Sequence, residues 1–442
     1  MSPDASFLVE PCTAAADRRD SAAPLAESIR QPHNVEETGL TKELIKGLLL
    51  KHLYDGVVLD LGQLRDRLKL AGNILESLLQ QFRKSQRVQT LPPENGHMRY
   101  QLTELGRADA CAALLKSGYL GPAPISLNHY NDLVALQSVL MNPLRRDEVL
   151  RRFQGVVIDP HQLDILGPAL NSGKPILVYG HSGTGKTYIS KKLSSLLDGP
   201  VYLPYAIAVD HEIIQIYDPV VHVAIDDRIE EQLQEFNTAC DPRLLLCARP
   251  VAVSGGELVI DSLEIKNDVS TRTMYAPIQL KANNGIYIID DLGRQRLNPA
   301  ELFNRWIVPM EERHDYLVTS TGRHIRVPFD CVLVFSTNLH PADLADEAFL
   351  RRLGYKIHFT PITEEQFTMI WNSLAAEKAI QIDQGVLDWL FDQFQASGRE
   401  LLPCNARDLM EIALDLESYL DKQGVIKIRH IETAWDTYFV KI

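Results

Sequence analysis

The stretch PILVYGHSGTGKT, residues 175–187, decides how the rest of the chain is read. PILVY is a short apolar run of the kind that forms a buried strand. It leads into Gly180, His181, Ser182, Gly183, Thr184, Gly185, Lys186 and Thr187, which fit the pattern G-x-x-x-x-G-K-[ST]. The glycines let backbone N–H groups turn inward and cradle phosphate oxygens. The helix that starts near Thr187 adds the partial positive charge of its N-terminus. Lys186 is positioned to reach the β- and γ-phosphates, and the Thr187 hydroxyl to ligate Mg²⁺. His181 has no required part in the pattern and is read as tolerated there.

Downstream, GIYIIDDLGR (285–294) sets two aspartates at the end of another apolar run. IYII, bounded by Gly285 and the aspartates, reads as a central buried strand. Ligands of open parallel sheets bind at the carboxyl ends of the strands. Asp290 is therefore expected beside the phosphate loop, holding Mg²⁺ directly or through water. Asp291 either orients or deprotonates an attacking water, or only caps the turn before the next helix. Bound Mg²⁺ and Lys186 would offset the repulsion between the two carboxylates.

Strand-like and helical runs alternate on both sides of these motifs: PILVY, YISKKLSSLL (188–197), VYLPY (201–205), IYII, NPAELFNRWI (298–307), VLVF (332–335) and YKIHF (355–359). That alternation predicts an α/β fold, a parallel sheet with helices on both faces. After Pro361 only helical patterns remain, read as a separate lid domain. Residues 1–37 are poor in large apolar residues and read as a disordered tail. From 38 to 120, three helical patterns and a hairpin (RVQTL, PPENGH, MRYQL) follow the order of a winged helix. GPAP at 121–124 opens a helical linker, 121–154.

The chain has 442 residues, 45% hydrophobic and 23% charged, with a net charge of −13. That balance argues against a polyanion binder as a whole. No apolar run approaches the ~18 residues of a membrane span, and the N-terminus lacks a signal-peptide layout. Six scattered cysteines with no CxxC pair read as reduced thiols. Together these place the protein in the cytoplasm, with no membrane partner.

With the phosphate loop and IYIIDD, three further stretches resemble AAA+ ATPases. VFSTN (334–338) is similar to a sensor 1 strand ending in Asn338. DEAFLRRL (346–353) is similar to the arginine-finger region, with Arg352 the first choice and Arg351 the alternative. NARDLMEI (405–412) is similar to sensor 2, with Arg407. The resemblance covers roughly residues 155–442, divided into an AAA+ P-loop domain (155–360) and a helical lid (361–442). It implies ATP and Mg²⁺ as ligands, ATP hydrolysis, and a homo-oligomeric ring, a hexamer, in which a neighbouring subunit supplies the finger.

RHDYLVTSTGRHIRVPFD (313–330) reads as a hairpin just before the sensor 1 strand. It resembles the pre-sensor 1 hairpin group, which includes MoxR-type chaperones and replicative helicases. Residues 206–284 exceed a minimal module, and RPVAVSGGELVI (249–260) within them reads as a second hairpin. Tyr217 and Tyr275 are candidates either for gripping a substrate or for buried packing. The chain departs from the family in one place: most AAA+ Walker B motifs end in Asp-Glu, and this one ends in Asp-Asp. The shorter side chain implies slow hydrolysis, or a site that a partner completes. Uncharacterised bacterial ATPases with the Asp-Asp form and an N-terminal module of this kind resemble it too.

HEIIQ (211–215) falls short of the zinc motif HExxH because Gln215 replaces the second histidine. Between residues 38 and 105 lie ten basic and seven acidic residues, a difference of +3 that is weak for a nucleic-acid face. Three functions follow. The first is an ATP-driven remodeller of a protein client recruited by the N-terminal module. The second is a DNA-directed ATPase that binds duplex DNA. The third is a slow nucleotide switch.

Overall fold

The computed structural model describes residues 19–94, 96–225, 240–344, 346–422 and 424–439. Residues 1–18 of the expected tail lie outside the described residues. The rest of that tail is built against the body. Helix α1 (Arg19–Ser28) precedes Ile29, whose carbonyl accepts from Asp241 N at 2.7 Å. Leu25 and Ile29 pack into an apolar cluster, and the Ser28 carbonyl lies 2.7 Å from His129 Nε2.

Helix α2 (Lys42–Gly56) begins at Thr41, whose side chain accepts from Leu44 N. Asp60 and Gln63 form a capping box at the start of α3 (Leu61–Leu68). Helix α4 (Gly72–Lys84) buries Ile74, Leu75, Leu78, Leu79 and Phe82. Strands β1 (Val58–Asp60), β2 (Val88–Glu94) and β3 (His97–Leu102) form an antiparallel sheet in the order β1-β3-β2. Helix α5 (Glu104–Lys116), capped by Thr103, packs back on α2.

The central sheet is all parallel. Its order is β10 (Val251–Ser254), β13 (Ile286–Ile289), β16 (Val332–Thr337), β5 (Ile176–Gly180) and β17 (Tyr355–Phe359). Alternate residues of each inner strand enter two different cores. Ile286, Ile288, Val332 and Val334 pack with α7 (Arg146–Arg152), α8 (Pro160–Ser172) and α9 (Lys186–Lys192). Tyr287, Ile289, Leu333 and Phe335 pack with the helix Pro299–Glu312. Both faces are covered, which is why these strands read as continuous apolar runs. The strand that ends just before Asn338 lies between the phosphate-loop strand and the Asp290 strand.

The sheet corrects two sequence expectations. VYLPY is not one of its strands: β6 (Val201–Pro204) pairs antiparallel with β9 (Leu244–Cys247). RPVAVSGGELVI is not a hairpin. Its first half is β10, the edge strand beside β13, and Gly255 and Gly256 turn the chain toward a 3₁₀ helix, Ile260–Leu263. A four-residue edge strand followed by two glycines carries the same local signal as half a hairpin.

A second sheet has the order β11 (Lys266–Asp268), β12 (Thr273–Tyr275), β8 (Glu212–Gln215), β7 (Ala206–Val209) and β4 (Ile125–Ser126). Ala206, Ala208 and Ile213 enter the core of the N-terminal helices, while Ile207, Val209 and Ile214 face a separate core. Arg243 locks this junction. Fully buried, it pairs with Asp241 and donates to the carbonyls of Thr38 and Pro124 at 3.2 and 3.0 Å. HEIIQ lies on β8, so no helical zinc motif exists there. The hairpin of β14 (His314–Val318) and β15 (His324–Pro328) rests Leu317, Ile325 and Val327 on the second sheet. Its tip is held by Glu212, which accepts from the hydroxyls of Ser320 and Thr321.

The C-terminal helices Glu364–Glu377, Val386–Ser397, Pro403–Leu420 and Ile428–Tyr438 share one core built on Phe367, Trp371, Leu390, Phe394 and Leu409. The region is not purely helical. Gln381–Ile382 pairs in parallel with Val425–Ile426.

Candidate nucleotide site

Strand β5 ends where Gly180 takes φ +142 and a side chain would meet the Phe359 carbonyl at 2.1 Å. Only glycine fits that close approach to the neighbouring strand. The loop then turns through Gly183 and Gly185, both at positive φ. Helix α9 has Gly185 at its N-cap and no side-chain cap, leaving first-turn N–H groups for a ligand. Thr184 Oγ1 donates to the His181 carbonyl at 2.8 Å, closing the loop.

Lys186 is buried, and its Nζ donates to the carbonyls of Gly180 at 2.9 Å and His181 at 2.7 Å. Burial pushes its pKa below the ordinary lysine value, while Asp290 and Asp291 push it back up. Thr187 Oγ1 lies 2.8 and 3.1 Å from the two carboxylate oxygens of Asp290. These are hard oxygen donors side by side, the kind Mg²⁺ takes alongside phosphate oxygens.

Asp291 sits at φ +52, a left-handed backbone that aspartate tolerates better than most residues. The next residues hold it there. Leu292 N donates to the Ser336 carbonyl at 2.8 Å, and Thr337 Oγ1 donates to the Leu292 carbonyl at 2.7 Å. Asn338 Nδ2 donates to Asp291 Oδ1 at 3.3 Å. The following helix takes Asn298 as its N-cap, and in the turn before it the Asp291 carbonyl accepts from Arg294 N at 3.0 Å. Lys186, Thr187, Asp290, Asp291 and Asn338 thus meet at the carboxyl ends of three adjacent strands.

The three candidate arginines lie in other pairings. Arg351 is exposed and pairs with Glu347 one turn earlier. Arg352 pairs with Glu311 at 2.6 Å, at the end of the helix Pro299–Glu312. Arg407 donates to Asp408 at 3.0 Å, and that bond raises its pKa.

Other residues at the site were not singled out from sequence. Cys404 N donates to the Gly183 carbonyl at 3.2 Å, and a side chain at Gly183 would lie 2.3 Å from Cys404 Sγ. The lid therefore touches the phosphate loop directly. Beside this contact is a cavity of about 450 Å³, lined by Ser182, Gly183, Arg399, Leu402, Asn405 and Tyr438 among others. Gln295 Nε2 donates to the Asp290 carbonyl at 3.1 Å. Cys404 stands next to NARDL, and that adjacency was the one available sequence signal. Tyr217 packs against Tyr205 and His222 at ring distances of 5.6 and 5.9 Å, and is half-buried.

A domain of unknown function, DUF8689, matches residues 363–437, within the C-terminal helices. No curated protein matches the chain. Among solved structures, NtrX from Brucella abortus is similar at 13% identity and a TM-score of 0.40, over 66% of this chain and 58% of that one. This chain thus spans less than two thirds of the NtrX chain. The Thermotoga maritima RuvB Holliday junction branch migration motor is similar at 13% identity and a TM-score of 0.36, over 63% and 69%. Domain III of the Thermotoga maritima replication initiation protein DnaA is similar at 13% identity and a TM-score of 0.35, over 68% of this chain and all of that one.

Proposed function

We propose that the chain is a Mg²⁺-dependent ATPase that works as a homo-oligomer and remodels a protein client. The observation that carries the ATPase reading is the meeting of Thr187 with Asp290 beside Lys186, with Asn338 bonded to Asp291 one residue on. Lys186 would neutralise terminal phosphate charge, and the phosphate-loop N–H groups would orient the phosphates. Asp291, aimed by Asn338, would accept a proton from the attacking water. Thr187 and Asp290 would hold Mg²⁺, which would stabilise charge on the transferred phosphoryl group.

The arginines support the oligomeric part of the reading. Arg352 pairs with Glu311 at the end of the helix Pro299–Glu312, as suits a finger that serves a neighbouring subunit. Residues 38–120, read as a winged-helix-like module, would recruit the client. The test is steady-state ATP hydrolysis with Mg²⁺ as a function of protein concentration. Activity per subunit that rises steeply with concentration supports a site completed in trans. ATP binding without hydrolysis at any concentration favours the switch instead, a reading that the short Asp291 side chain supports. Absence of ATP binding overturns both.

A further inference from the structure

We infer that the outer face of α5 pairs antiparallel with the same face of a second copy of this chain. The inference goes beyond the ATPase reading and does not rest on it. The inner face of α5 carries Gly106 and Ala110, buried against the N-terminal core. The outer face carries Leu105, 60% exposed, and Leu115, 64% exposed, with Ala108, Cys111 and Ala112 exposed between them. A helix apolar on both sides calls for cover on both sides. Tyr54, also exposed, extends the patch beside Cys111.

The occupant follows from the order of residues. Read outward from Ala110, the outer-face positions of the helix match in both directions: Ala108 matches Ala112, Leu105 matches Leu115, and Glu104 is matched by Lys116. In an antiparallel two-fold pair, each position meets the position equally far beyond the axis. Leucine then meets leucine, alanine meets alanine, and Glu104 of each copy meets Lys116 of the other. The face opposite Ala110 is the one such an axis would cross, and it is the exposed one. Alanines at the centre let the helix axes approach to about 8 Å. Neither Glu104 nor Lys116 is in an ion pair among the described residues. Asp109, at the flank, is already paired with Arg87, and its opposite number Cys111 is uncharged, so no like charges are forced together.

Each charge also suits its own helix end, glutamate at the N-terminus and lysine at the C-terminus. That makes the test sharp, because exchanging both charges harms the helix but restores the pairing. The experiment is sedimentation of the full chain without nucleotide, from about 1 to 100 µM, the range for a contact smaller than a standard interface. A concentration-dependent dimer is expected. Ala112→Arg should raise its dissociation constant at least about tenfold. Glu104→Lys and Lys116→Glu should each weaken it, and the two together should return it to within about threefold of the original. A chain that stays monomeric, association unmoved by Ala112→Arg, or a double exchange as weak as the single ones overturns the pairing. So does capture of a different protein by this face while the chain alone stays monomeric. ATPase activity reads separately: if only the pairing fails, its dependence on concentration persists.

Discussion

Lys186 and Lys51 lie in different halves of the molecule and make the same kind of contacts. Lys186 Nζ donates to the Gly180 and His181 carbonyls at 2.9 and 2.7 Å. Lys51 Nζ donates to the Ser117 and Tyr119 carbonyls at 3.0 and 2.7 Å. Both are buried, and burial depresses both pKa values, that of Lys51 to about 8. What differs is the surroundings. Lys51 reaches from α2 to the carbonyls just past the C-terminal end of α5, where the helix dipole favours a cation. Lys186 sits among glycines at a strand end, with Asp290 and Asp291 acting on it. A buried lysine held by carbonyls is therefore not by itself a phosphate site. The two carboxylates that follow β13 distinguish the two.

Replacing each lysine tests that distinction, and the largest effect is expected at the phosphate loop. Lys186→Ala should abolish turnover and weaken Mg-ATP binding by about a hundredfold or more, as expected for lost preorganised charge. Lys51→Ala should leave ATP affinity within about threefold and instead lower the melting temperature, since it uncaps buried carbonyls. Calorimetric titration with Mg-ATP checks both. Loss of ATP affinity in the Lys51 variant would break the comparison.

The arginine side of the site comes next. Arg352→Ala should cut turnover by roughly a thousandfold and leave ATP binding unchanged, the pattern of a finger acting only in the transition state. Mixing it with Lys186→Ala chains should restore part of the activity, because each supplies what the other lacks. Mixtures as inactive as the separate variants would sink the role in trans.

Asp291→Glu probes the Asp-Asp ending of the IYIIDD run. A longer carboxylate should raise turnover several-fold if reach is limiting. Glutamate at φ +52 should also cost stability, about 1 kcal/mol for a residue forced left-handed. An unchanged or lower rate, with a lower melting temperature, would mean that backbone fit selected the aspartate.

These sites were unequally legible in the sequence. The phosphate loop and IYIIDD announce themselves through glycine spacing and an apolar run ending in charge, both local signals. The central strands could be read because they are buried on both faces. β10 was misread because a four-residue edge strand before Gly255 and Gly256 looks like half a hairpin. β6 was misread because its partner β9 lies some forty residues away, and pairing direction has no local signature. The contact between Cys404 and Gly183 depends on how the lid is placed, which no spacing encodes.

The last test belongs to Lys51 and concerns pH. Its folded-state pKa of about 8 lies below the ordinary lysine value of 10.5. Between those values the unfolded chain binds a proton that the folded chain does not, so stability rises with pH across that window. Below pH 8 the folded protein bears the full cost of the buried charge, at most about 3 kcal/mol at ~1.4 kcal/mol per tenfold change in the protonation equilibrium. Lys51→Met removes the titration. The melting temperature of the natural chain, measured relative to this variant, should climb from pH 7.5 to pH 10. Other titrating groups cancel in the difference. A difference that stays flat with pH would mean the carbonyls of Ser117 and Tyr119 already offset the burial of the charge, and that the two lysines differ less than their surroundings imply.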